Sequence, residues 1–162
     1  MLADAGLLSS FLIKPAAKKY RFGIIPHHSE MDLPIFQQFK DRLSDSIIIS
    51  TLWEVKKVLT LMSQCEYIIS SAMHGLIAAD ALGIPNIQLV ASDRLIGGMY
   101  KFNDYYSSYS GFDYRERQYL SEASVKEVMQ GNIENYIVDH YLVAPKEVLE
   151  KQEQLFKTFP YE

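Results

Sequence analysis

Three of the four histidines in this chain follow segments that read as strands: His27 and His28 in Pro26-His27-His28-Ser29, and His74 in Ser70-Ser71-Ala72-Met73-His74-Gly75. Imidazole titrates near neutral pH, so it can give or take a proton or hold an anion. Two other strand ends, Ser50-Thr51 and Ala91-Ser92-Asp93-Arg94, bring hydroxyls and a guanidinium. In open α/β sheets ligands bind at the carboxyl ends of strands, where loops converge and helix N-termini present free N–H groups. The placement therefore predicts that His27, His28 and His74 face one cleft. His74 is the sharpest candidate. Its turn sets two hydroxyls and an imidazole beside a helix N-terminus, where the macrodipole favours phosphate or carboxylate, and Gly75 would let a ligand approach the backbone. The same turn also admits a plain structural reading, with Ser71 capping the helix and His74 bonded within the turn.

Other chemistries lack their residues. His27 and His28 are adjacent, and no His-x-x-x-His or Cys-x-x-Cys spacing occurs, so no metal site is expected. Neither Gly-x-Gly-x-x-Gly nor Gly-x-x-x-x-Gly-Lys-Ser/Thr is present, which argues against the common nucleotide sites, and no cofactor is expected. A Gly-x-Ser-x-Gly nucleophile elbow is missing as well.

The elements that must position these residues follow from periodicity. Arg21–Pro26, Ser46–Ser50, Tyr67–Ser71 and Asn86–Val90 are short runs rich in Ile, Val and Tyr, the pattern of strands covered on both faces in a parallel sheet. Helical stripes lie between them, through Phe36, Phe39 and Leu43, and through Val55, Val58, Leu59 and Met62. Thr51 and Glu54 have the spacing of a capping box for the second helix. A third helix runs from about Gly75 to Leu82, stopped by Gly83 and Pro85. Repeated βαβ crossovers predict an α/β chain with a Rossmann-like, doubly wound parallel sheet. Beyond Ser92 lies an aromatic segment over 97–119, with eight Phe or Tyr among the twenty residues from Tyr100 to Tyr119. Two helices over 121–158 close the chain, one through Val125, Val128 and Met129 and one from Pro145 through Val148, Leu149, Leu155 and Phe156.

Composition bounds the partners. A length of 162 residues, 48% of them hydrophobic, suits one domain with a real core. Sixteen basic against twenty acidic residues give a net charge of −4, so nothing draws the chain to nucleic acid. A lone cysteine, Cys65, indicates a reducing compartment. The apolar runs are too short to span a bilayer, and Met1 to Ile13 is not a secretory signal, so a cytoplasmic protein is expected. Lys14, Lys18, Lys19 and Arg21 form a basic cluster ahead of the first strand, read as a solvated face that a lipid-linked acceptor could exploit.

Taken in order, Asp4-Ala5-Gly6-Leu7-Leu8, then Gly23 to His28, then Ser70 to Asn86, then Gly97-Gly98-Met99-Tyr100-Lys101-Phe102-Asn103-Asp104-Tyr105-Tyr106 resemble four successive signatures of the polysaccharide pyruvyl transferases. The resemblance implies one half of a glycosyltransferase-B-like architecture, in which two Rossmann-like halves face each other across a cleft. The first signature resembles a motif at the junction after the N-terminal half, so the chain is expected to correspond to the C-terminal half, as a fragment, a truncated product or one of two chains.

The implied activity is transfer of the enolpyruvyl group of phosphoenolpyruvate to two hydroxyls of a saccharide or lipid-linked oligosaccharide, forming a ketal in exopolysaccharide or cell-surface polysaccharide biosynthesis. By the same resemblance His74 is the donor-site histidine, with His27, His28, Ser70, Ser71, Gly75, Arg94, Lys101, Asp104 and Tyr105 as further substrate-binding candidates. Family members often carry Arg two residues before that histidine, where this chain has Ala72. A methyl group cannot replace a guanidinium fork, so the phosphate would fall to Arg94 or Lys101. The aromatic segment offers either a face for sugar rings or core packing, and exposure discriminates the two. Two other functions are carried forward: a non-catalytic or partner-dependent binding domain, and a sugar-nucleotide glycosyltransferase, which would release a nucleoside diphosphate.

Overall fold

The computed structural model describes residues 3–95 and 97–158. A 3₁₀ helix, Ala5–Leu12, precedes β1 (Tyr20–Ile25), a 3₁₀ turn (His28–Glu30), α1 (Pro34–Arg42), β2 (Ser46–Ile48), α2 (Val55–Ser63), β3 (Cys65–Ser70), α3 (Met73–Ala81) and β4 (Asn86–Val90). After these come α4 (Tyr100–Ser107), β5 (Leu120–Ser121), α5 (Glu122–Gln130), α6 (Ile133–Asp139) and α7 (Pro145–Thr158). The five strands pair in parallel in the order β2-β1-β3-β4-β5. The chain thus leaves β1 toward one edge and returns past it to build the other. That reversal lies between β1 and β3, the place where doubly wound sheets open a crevice.

Apolar packing covers both faces of the sheet, which explains the continuous apolar strands. On one face Phe22, Ile24, Ile69 and Leu89 pack against Phe36 and Phe39 of α1, Val125 of α5 and Ile137 of α6. On the other, Ile25, Ile49 and Ile68 meet Leu59 and Met62 of α2 and Ala78 and Ala79 of α3. A third cluster covers the outer side of α3, where Ile77 meets Leu7 of the 3₁₀ helix, Tyr105, Tyr106 and Tyr109 of the aromatic segment, and Val148 and Leu155 of α7. Because α3 is enclosed from both sides, its apolar residues run all round it. Gly83 at φ +69° ends α3, with its N–H donating to Asp80 and that of Ile84 to Ala79, the paired closure that favours glycine there.

Several expectations are corrected. The first residue capping α2 is Glu54, whose carboxylate accepts from the N–H groups of Lys56 and Lys57, so Thr51 is not the cap. A short β5, the N-terminal 3₁₀ helix and α6 were not expected; two strand residues and a seven-residue helix are too brief to show a period. The helix through Val125 and Met129 is α5, although the side chain of Val128 lies outside the described residues. Half of the aromatic segment's rings are core, with Phe102 buried and Tyr105, Tyr106 and Tyr109 packed in one cluster, while Tyr100, Tyr114 and Tyr119 face solvent. The basic cluster sits at the amino end of β1, away from the strand ends that carry the histidines. There Lys18 Nζ donates to the carbonyls of Ser63 and Cys65, and Arg21 pairs with Glu134 at 2.6 Å. These groups brace the fold.

Candidate functional site

The carboxyl ends of β1 and β3 are locked together at the reversal point. The His27 N–H donates to Ser71 Oγ at 2.8 Å, and the Ser71 N–H donates to the carbonyl of Ile25. Ser70 Oγ accepts from the Ala72 N–H and lies within hydrogen-bond distance of the Ile25 and Ala72 carbonyls. Both hydroxyls are wholly buried and already engaged by the backbone, so they set the corner's shape. The sequence placed Ser70 and Ser71 in the substrate site; the structure gives their hydrogen bonds to the backbone. Gly75 is needed for the same reason, since a Cβ there would stand 2.5 Å from Ser70 Oγ and 3.3 Å from Ile25 Cγ2. Gly75→Ala should cost about 1–3 kcal/mol as overpacking, read from a denaturation curve, and Ser70→Ala in the same chain should recover part of the loss.

His74 has the opposite character. It is exposed on the first turn of α3, whose N-cap residue, Ala72, supplies no side-chain cap. The ring lines a cavity of about 210 Å³ together with Gly6 and Ser9 of the 3₁₀ helix, Thr51 and Trp53 after β2, and the apolar face of α2. Met73, one residue earlier, lines a second cavity of about 210 Å³ with Asp4, Lys101, Asp104 and Tyr105. The first turn of α3 and the 3₁₀ helix therefore form a shared wall between two recesses. Asp4 shapes that wall, its carboxylate accepting from the Gly6 N–H at 2.7 Å. This contact is the physical content of the Asp4-Ala5-Gly6-Leu7-Leu8 signature.

The His27 and His28 rings lie 4.2 Å apart between centroids beyond β1, tilted by 36°, with His28 exposed and His27 half-buried. The Ser29 N–H donates to His27 Nδ1, so the neutral ring carries its proton on Nε2. Burial first, then the charges of His28 and Lys101, lower the His27 pKa, against an upward pull from Glu30. The neutral imidazole is thereby favoured. The loop after β4 is stitched onto this segment. Ser92 Oγ donates to the buried Glu30 carboxyl at 2.5 Å, and Arg94 donates to Asp32 at 2.6 Å and to the Ser29 carbonyl. The Arg94 hydrogen bond holds the Asp32 carboxyl below its usual range.

The expected cations are thus unevenly available. Arg94 is engaged by Asp32, and Lys101 shares its recess with two carboxylates, Asp4 and Asp104. Tyr105 lines that recess, but its hydroxyl donates inward to Asp80 at 2.7 Å and meets Tyr109 at 2.8 Å. Cys65 is buried, and burial pushes its thiol up to about 12, so it is no nucleophile at neutral pH. Among the described residues no cluster of three His, Cys, Asp or Glu could hold a metal ion, and no helix is long and apolar enough to cross a membrane.

The family model for polysaccharide pyruvyl transferase matches residues 9–94, more than half of the chain. The chain belongs to that family. The match takes in the strand ends at His27 and His74, whereas the signatures at Asp4–Leu8 and Gly97–Tyr106 lie outside it. Comparisons with curated proteins and with solved structures returned no match. Among the residues lining the His74 cavity of this polysaccharide pyruvyl transferase, Ser9 and Trp53 were not among the sequence candidates. Thr51 had been read as a cap, and Trp53 stands two residues beyond a strand end already singled out. Extending each strand end by a few residues would have found it.

Proposed function

We propose that the chain transfers the enolpyruvyl group of phosphoenolpyruvate to a sugar, within cell-surface or exopolysaccharide biosynthesis in the cytoplasm, as one wall of a glycosyltransferase-B-like cleft. The observation that carries this reading is the exposed His74 on the uncapped first turn of α3, lining a cavity inside the family match. The chemistry needs a proton donor beside an anion. His74 as imidazolium gives its proton to the donor's methylene carbon, which becomes the ketal methyl group. The adjacent carbon then takes one sugar hydroxyl, loses phosphate with its electron pair, and takes the second hydroxyl. Of the two hydroxyl protons released, one restores the imidazolium and one leaves with phosphate. The test is phosphate release from phosphoenolpyruvate by the full gene product with simple pyranosides. Release of a nucleoside diphosphate from a sugar nucleotide instead would favour a glycosyltransferase.

One observation favours a partner-dependent form of this function. Ala72 replaces the guanidinium, Arg94 is paired with Asp32, and Lys101 faces Asp4 and Asp104. One ammonium among two carboxylates is a poor seat for phosphate. The donor clamp is then completed by an opposing half, and this chain supplies His74 and the acceptor side. Phosphate release appearing only when such a half is present would support that form.

A further inference from the structure

The cavity beside His74 is apolar over most of its wall, formed by Ile25, Val55, Val58, Leu59, Met62 and Ala78. Two of its lining residues, Ser9 and Thr51, carry hydroxyls. Ser9 Oγ and Thr51 Oγ1 are screened from solvent and have no hydrogen-bond partner within the chain. Buried hydroxyls without partners are uncommon and call for an explanation. At the rim stands Trp53, 39% exposed, with Lys57 Nζ 4.3 Å from its ring centroid. The volume of about 210 Å³ is below the roughly 300–1,000 Å³ of sites that enclose a drug-sized ligand, so it suits one ring.

We propose that this cavity seats one pyranose ring of the acceptor, stacked by its C–H face on the Trp53 indole and hydrogen-bonded at its edge by Ser9 and Thr51. Apart from His74 the lining holds no cationic side chain to seat a phosphate, and a wholly apolar guest would leave both hydroxyls unpaired. A pyranose has both surfaces required: an apolar face and a rim of groups that donate and accept. His74 lines the same space, so the ring's hydroxyls stand beside the group proposed to handle protons. This assignment rests on the reaction proposed above for its acceptor class, but the seat is built from this chain alone.

Trp53 is the only tryptophan, so indole emission reports on the cavity directly. The full chain is titrated with methyl pyranosides, with a linear hexitol as control and without phosphoenolpyruvate. The expected result is a saturable change in Trp53 emission with the pyranosides and none with the hexitol. Calorimetry on Trp53→Ala should show at least tenfold weaker sugar binding, and Thr51→Val about fivefold weaker. Unaltered melting of both variants separates lost contacts from lost folding. A flat titration from an enzyme that still releases phosphate in a His74-dependent manner would overturn the sugar seat and leave the reaction standing. A saturable titration without any phosphate release, even with an opposing half supplied, would support the seat and remove the reaction. Equal responses to pyranoside and hexitol overturn the stacked ring.

Discussion

His74→Ala is expected to lower phosphate release from phosphoenolpyruvate by roughly 10²–10⁴-fold, the usual loss when a positioned general acid is removed. The expectation follows from where the ring stands. It is exposed, it lines the cavity, and the turn beneath it is fixed by Ser70 and Ser71 through bonds that do not involve the imidazole. Removing the ring therefore leaves the corner intact, and thermal unfolding should be nearly unchanged. His74→Gln separates two roles. Glutamine can hold an anion by its amide but cannot deliver a proton at neutral pH, so a variant that binds phosphoenolpyruvate normally and turns it over at the alanine rate identifies proton donation. Recovery of rate in His74→Gln would make the side chain an anion ligand. Wild-type activity in His74→Ala would remove it from the reaction.

Asp80→Ala is expected to destabilise the fold by about 3 kcal/mol or more, seen as a fall in denaturant midpoint. Asp80 is buried at the centre of the third core cluster, accepting from Asn86 Nδ2 and the Tyr105 hydroxyl at 2.7 Å each, and from Tyr141. Alanine would remove the shared acceptor of all three, leaving Asn86 only the Ile84 carbonyl and Tyr105 only the Tyr109 hydroxyl. The same carboxyl should give stability a distinctive pH dependence. Burial pushes its pKa up from 3.8 to about 7, outweighing the three hydrogen bonds that act downward. The folded state therefore binds the proton more tightly than the unfolded chain. Stability contributed by this group is full below about pH 4, declines as pH rises toward about 7, and levels off above. His27, whose pKa is lowered, contributes with the opposite slope, so the informative quantity is the difference between wild type and Asp80→Asn. Asparagine keeps an acceptor for Asn86 and presents an amide to Tyr105, which can accept. Its stability curve should lack the decline between pH 4 and 7. Parallel curves for the two proteins would show that Asp80 does not titrate there.

Much of the fold was legible because its strands are covered on both sides. Four short apolar runs, the first three each followed by a helical segment, leave few arrangements other than a parallel sheet, and the ends of β4 fall where its run ended. That the ends of β1 and β3 meet was legible because strand-end residues converge by topology, whatever their local sequence. The rest depended on which way side chains turn. Ser70 and His74 lie in the same turn, yet one is sealed inside and the other open, a difference set by the close approach of α3 to β1 at Gly75. Tyr105 was a candidate through the Gly97–Tyr106 signature, and it lines the recess with Lys101, but Asp80, 25 residues earlier, draws its hydroxyl inward. The engagement of Arg94 by Asp32 likewise joins residues 62 apart in sequence.

The wall that carries Ser9 is fastened from behind by the last helix of the described chain. Gln152, buried in α7, donates through Nε2 to the carbonyl of Leu7 at 2.8 Å and to Ser10 Oγ at 3.2 Å. Phe11 meets Phe156 edge-on at 4.9 Å. A residue more than 140 positions downstream thus sets the dimensions of a recess whose other sides come from α2 and α3. Trimming or fusing the carboxyl-terminal helix would accordingly alter ligand preference before it disturbed the sheet.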